Sequence, residues 1–414
     1  MLLAIVVLCG SSVLFAEDVL RFRGDNSQGK YNEPGLLDRW PEEGLKPKWV
    51  NSELGEGWSS VIKVKDRLYL NCLDSQDTTK ESVVCLDLNG RQLWQQTVGI
   101  VWKPSYSFPR ATPTYATGTQ DGDDRLLVLS GGGELYCLAA ADGKYLWHEE
   151  VFKDYDAAIN MWGVAECVEV KADKVFVTLA GKKALAVAYN IADGSVAWET
   201  KPVEERISYA TPILYENILI TLSARYVWGI NVENGQVLWQ GDFQEDSGGR
   251  IPRSGNNCNP HVLKGNQFFV SAGYGQGGVM YEILPDGKGL KKKWDSKVLD
   301  VHHHGTVEVD GRIYGSAHNS QYCCLDWNTG KTVYKEPWSN MGASNTIFAD
   351  GKLYLYDEKR GMLGLAKPGD SFEVISSFPV EFGSAQHWPH PVISDGVLYV
   401  RRGNALAAFD IKKL

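Results

Sequence analysis

The sequence predicts an all-β ring, an eight-bladed β-propeller of four-stranded antiparallel blades closed by pairing N- and C-terminal strands. Three observations predict it: turn glycines with evenly spaced tryptophans, an internal repeat in unbroken register, and a last repeat whose missing strand sits at the other end of the chain. The 414 residues include 43 Gly and 14 Trp, with 43% hydrophobic and 22% charged residues. That balance belongs to a globular chain, not a disordered one. Many short strands with glycine turns and a recurring aromatic suit a closed repeat fold.

The repeat is read directly by superposing segments. Ala210-Thr211-Pro212-Ile213 falls on Gly305-Thr306-Val307-Glu308, and the frame runs on without a gap. Trp228-Gly229-Ile230-Asn231 then falls on Cys323-Cys324-Leu325-Asp326, Asn234-Gly235 on Thr329-Gly330, and Trp239 on Tyr334. His390-Pro391-Val392 and Ala408-Phe409-Asp410 fit the same frame. Each repeat contains an apolar strand, an Asx residue, a turn ending in Gly, and a strand closing on an aromatic. Asn-Gly and Asp-Gly between alternating strands are hairpin signals because their turns need positive φ.

Taken in order, the closing aromatics are Trp94, Trp147, Trp198, Trp239, Trp294, Tyr334 and Phe378, the last in the loosest copy. The final repeat ends at Ala408-Phe409-Asp410 and lacks its closing strand. Lys46-Pro47-Lys48-Trp49-Val50 supplies one. Joining the two ends gives eight blades and leaves no open sheet edge in the ring.

Ala-x-Asp-x-x-Thr-Gly-Lys-x-x-Trp is the tryptophan-docking pattern of pyrroloquinoline-quinone (PQQ) repeats, and Leu325-Asp326-Trp327-Asn328-Thr329-Gly330-Lys331 matches it clearly. The chain resembles the exported PQQ-like propeller proteins, down to the opening Arg21-Phe22-Arg23-Gly24. The resemblance implies fold more than function, since such repeats serve both quinoprotein dehydrogenases and non-catalytic scaffolds of the BamB type.

Residues 1–16 are apolar and uncharged, too short for a bilayer span of ~20 residues, and are expected to be a signal peptide cleaved after Ala16. Residues 17–414 are then one propeller domain, exported to the periplasm or the exterior, with no transmembrane segment. Cys9 follows Leu8 too early for a lipid-attachment site. The net charge of -9 argues against a nucleic-acid partner, and Lys291-Lys292-Lys293 reads as a solvated turn.

Cys85, Cys137 and Cys324 share a repeat position with Ala188, Gly229 and Ala408, which calls for a small buried side chain. Cys323-Cys324 lies within a strand, where successive side chains point to opposite faces, so no vicinal disulfide is expected. The histidines are more suggestive. His303 and His387 share one position just ahead of a first strand. His304, Trp388, Tyr209 and Arg110 share the next, and His390 follows. With first strands lining the channel, Arg110, Tyr209, His303, His304, His387, Trp388 and His390 are the candidate ligand-binding residues at one mouth, suited to anionic or π-rich ligands. Trp58, Trp162 and Arg253 lie at comparable lead-ins. No metal site is expected, because no carboxylate is placed beside these histidines.

No haem-attachment, Walker, His-Glu-x-x-His or nucleophile-elbow motif is present. The expected function is a non-catalytic binding or scaffold protein with a protein, glycan or small-molecule partner. The alternative implied by the resemblance is a PQQ- and calcium-dependent dehydrogenase acting on an alcohol or sugar.

Overall fold

A computed structural model describes residues 18–118, 123–248 and 257–413. The expected signal, with Cys9, and Arg253 lie outside the described residues. Among the described residues the strands form eight antiparallel blades of four, taken in chain order except for the last. The first strands are Ile62–Val64, Thr114–Ala116, Glu169–Lys171, Ile213–Tyr215, Val262–Lys264, Thr306–Val309, Ser344–Ala349 and Val392–Ser394. The eighth blade takes its fourth strand, Trp49–Asn51, from the N-terminal end, with Trp49 opposite Ala408 and Asn51 opposite Leu406. No helix among them is long and apolar enough to cross a membrane.

The docking aromatic explains how blades stack. Trp49, Trp94, Trp147, Trp198 and Trp294 each lie against a turn glycine of the following blade: Gly90, Gly143, Gly194, Gly235 and Gly330. Four of these indoles also donate to a carbonyl of that blade, as in Trp198 Nε1 to Val232 O at 2.8 Å. A one-residue bulge beside each interior docking position, as between Gly229 and Ile230, adds local twist. Directly across the ladder from the aromatic sits the small residue: Cys85, Cys137, Ala188, Gly229 or Cys324. At Gly229 a Cβ would fall 2.1 Å from the Trp239 ring, so the indole itself limits that position. Cys323 and Cys324 pack into different apolar clusters, and both are free thiols.

Blade seven departs from the sequence expectation. The docking register there belongs to Ser376, opposite Leu365, and Phe378 sits two residues further on. Trp40 fills the vacant wedge. Its backbone N–H donates to Ser376 Oγ at 3.0 Å, and its ring lies 6.0 Å from Tyr354 and 5.2 Å from Phe378. The distance to Tyr354 matches the Trp94–Tyr69 pair of blade one, 5.9 Å. The aromatic comes from outside the repeat, so the repeat pattern could not locate it.

Residues 18–33 occupy the channel and touch every blade in order. Val19 bridges Lys63, Leu20 O accepts from Tyr115 N, and Arg21 pairs with Glu169. Asn26 exchanges hydrogen bonds with Leu214, Gln28 accepts from Leu263 N, and Lys30 pairs with Glu308. Lys30–Tyr31 adds a parallel strand inside blade seven, and Glu33 accepts from Asp395 N and Gly396 N in blade eight. This path, which fixes the first strands as the innermost ones, was not expected from the repeat. Arg23 anchors it, donating to Thr306 O, Thr346 O and Ser27 O and to His390 Nδ1.

Candidate functional site

The first strands all start at the mouth opposite this N-terminal path, so their lead-ins surround a common cavity of about 230 Å³. Arg110, Tyr209, His303, Trp388 and His390 line it, as do Trp58 and Trp162. His304 and His387 do not. His304 is buried behind His303, with the two rings stacked 4.1 Å apart. His387 turns toward blade seven, where Nδ1 meets Tyr356 Oη at 2.6 Å and Gly361 lies against the ring. Sharing a repeat position with His303 therefore did not bring His387 into the cavity. The direction of the side chain depends on the neighbouring hairpin, which the frame does not encode.

Aromatic rings make most of the wall. Trp58 packs on Trp388 at 4.8 Å and on Phe108 at 4.9 Å, while Trp162 meets Tyr209 at 5.6 Å. The Arg110 guanidinium sits 5.3 Å from the Trp58 ring centroid, a cation–π arrangement, and donates to Tyr106 O. Burial lowers its pKa to about 10 against the opposing pull of Glu81, so it remains cationic at neutral pH. Phe22 reaches the floor from the N-terminal path and meets His390 edge-on at 5.1 Å.

The histidines have defined states. Arg23 donates to His390 Nδ1 at 2.8 Å, so the proton is on Nε2, which donates to His303 O at 3.0 Å. Burial and the adjacent guanidinium hold His390 well below its ordinary pKa. Burial, followed by the neighbouring imidazoles, does the same to His303 and lowers His302 to about 3. These rings are neutral hydrogen-bonding groups at physiological pH.

Phe22, Tyr106, Cys167, Cys258 and Tyr274 also line the cavity without having been singled out by sequence. Burial raises the Cys167 thiol to about 11 and Cys258 to about 12, so neither is an activated nucleophile. Tyr274 lies in a hairpin between second and third strands, as does Glu358 in blade seven. Second strands end at the mouth where first strands begin. Their hairpins were the signal that an inventory of lead-ins alone overlooked. Glu358 Oε2 lies 3.2 Å from His304 Nε2 and 3.8 Å from His303 Nε2, and it accepts from Trp388 Nε1 at 3.3 Å. Burial pushes this carboxyl up, and its imidazole and indole neighbours outweigh that and hold it below its ordinary value.

PQQ with calcium would require several hard oxygen ligands beside the quinone. Among the described residues the lining contains no Asp or Glu, and its polar groups are imidazole, guanidinium, phenol, indole, thiol and one threonine hydroxyl. The donor set does not fit that cofactor pair.

Fold and repeat together define a PQQ-like repeat propeller. A family description for outer membrane protein assembly factor BamB matches residues 79–336, more than half of the chain, and the chain belongs to that family. The outer membrane protein assembly factor BamB of Yersinia pestis is 22% identical over 250 residues, covering 57% of this chain and 60% of that relative. The matched region thus spans less than two thirds of the relative's length. BamB from Moraxella catarrhalis superposes with a TM-score of 0.64 at 12% identity, over 88% of this chain and 99% of that one. Quinohemoprotein alcohol dehydrogenase from Comamonas testosteroni superposes with a TM-score of 0.65 at 13% identity, over 95% and 80% of the two chains. At these identities the superpositions speak for the fold alone.

Proposed function

We propose that the protein is an exported, periplasmic propeller that acts by binding, as a scaffold, and holds an anionic or π-rich ligand group in the aromatic cavity. The observation that carries this reading is the wall itself, with Trp58, Trp162, Trp388 and Tyr209 around the cationic Arg110 and no carboxylate among the described lining residues. Flat indole faces take sugars, aryl groups or aromatic side chains, while the guanidinium selects for negative charge. The family's association with outer membrane protein assembly supports a protein partner, whose aromatic or acidic side chain is one such group.

Fluorescence titration of the chain lacking residues 1–16 with acidic-aromatic peptides and acidic glycans tests the reading. Saturable binding is expected, weakened about tenfold or more by Arg110→Ala and Trp388→Ala, in line with loss of ~1.4 kcal/mol or more at a binding hot spot. Binding unaffected by both changes would reject it. Dye reduction with an alcohol panel after adding PQQ and calcium is expected to show no turnover, and robust turnover would favour the dehydrogenase reading instead.

A further inference from the structure

Behind His303, outside the lining of the cavity, lies a second, chemically different feature. His303, His304 and Glu358 each present one ligand atom, and the three atoms lie within 4.8 Å of one another. They come from two adjacent blades, the imidazoles from the lead-in of blade six and the carboxylate from a hairpin of blade seven. From this constellation we propose that His303, His304 and Glu358 form a binding site for a divalent transition-metal ion of the zinc class.

The supporting observation is unused ligand capacity. His304 is 1% exposed, and its Nδ1 is buried without a hydrogen-bond partner, as is His303 Nε2, while His304 Nε2 is met only by the Glu358 carboxylate at 3.2 Å. A buried polar atom without a partner costs about 1–3 kcal/mol, and two on adjacent imidazoles beside a carboxylate require an explanation. Two nitrogen ligands and one carboxylate are a donor set that zinc takes readily, with bonds near ~2.1 Å. Nitrogen donors also disfavour calcium and magnesium, which prefer all-oxygen cages.

Outer contacts are arranged to hold these ligands. His303 Nδ1 lies 3.0 Å from His302 Nδ1, and with His303 as the donor in that contact its Nε2 is free to bind the ion. Trp388 Nε1 steadies the Glu358 carboxylate at 3.3 Å. With three protein ligands, an exchangeable coordination position remains for water or an oxygen atom of a ligand. The site adjoins the proposed binding cavity but does not depend on what that cavity binds.

The test is calorimetric titration of the chelator-treated chain lacking residues 1–16 with Zn2+ alone, together with the visible spectrum of the Co2+ form. One equivalent is expected, with Co2+ bands of a four- or five-coordinate ion. Glu358→Gln, which preserves shape, should weaken Zn2+ by more than the roughly 10–100-fold typical of outer-shell changes, and Trp388→Phe by an amount within that range. His304→Ala should abolish binding, with circular dichroism and thermal melting confirming that the fold persists. His387→Ala should leave binding unchanged. No stoichiometric uptake, or uptake that survives Glu358→Gln and His304→Ala but is lost in His318→Asn, overturns the proposal. Zinc uptake without any peptide or glycan binding would leave this site standing and remove the functional reading above.

Discussion

At the scale of single residues, the repeat pattern read the small position well, because one physical constraint acts on it in several blades. Cys85, Cys137, Ala188 and Cys324 all lie under a docking ring, and Gly229 marks the tightest case. Gly229→Ala is expected to cost about 1–3 kcal/mol in urea unfolding, since the added methyl must displace the Trp239 ring. Histidine roles were less legible, because a lead-in position says nothing about which hairpin packs on the ring. His261 shows the consequence. It is buried with no partner at either ring nitrogen, and burial lowers its pKa to about 3. The unfolded chain takes up that proton below about 6.5, whereas the folded chain does not until about 3. Its share of stability is therefore intact above pH 6.5 and lost progressively as the pH falls toward 3. Thermal melting should show wild type losing ground to His261→Phe across that window, with a constant difference above pH 7. A difference independent of pH would refute the assignment.

At the scale of elements, the blades were visible in sequence and the N-terminal segment was not. Alternating strands and Asn-Gly or Asp-Gly turns repeat, so they can be aligned with one another. Residues 18–45 occur once and have no copy to be compared with. Their work is done by isolated contacts: Arg23 on the backbone of blades six and seven, and Trp40 in the wedge that Ser376 leaves open. Trp40→Ala should cost about 3–5 kcal/mol, as for other buried aromatics, and should loosen blade seven against blade eight. Arg23→Met removes donors from Thr306 O and Thr346 O and should cost about 1–3 kcal/mol for each carbonyl left without a partner. Chemical denaturation of the two variants checks both values, and losses below 1 kcal/mol would show the segment to be only loosely held.

At the scale of the whole molecule, closure was legible because the last repeat lacks a strand that the other end of the chain can supply. The seam is more than one ladder. Arg401 of blade eight, 1% exposed, donates to Ser59 O and Asn71 O of blade one and to Gly55 O. The N-terminal segment thus joins all eight blades at one mouth and completes the eighth, while the aromatic cavity lies at the other mouth. The function was less legible than the ring, since one repeat scaffold carries many sites. Hydrogen–deuterium exchange read by mass spectrometry tests this arrangement most directly. Peptides covering 18–33 and 46–51 should exchange as slowly as the inner strands and open together with the strand Ala405–Asp410. Rapid exchange of 18–51 while the blades stay protected would contradict the closed ring.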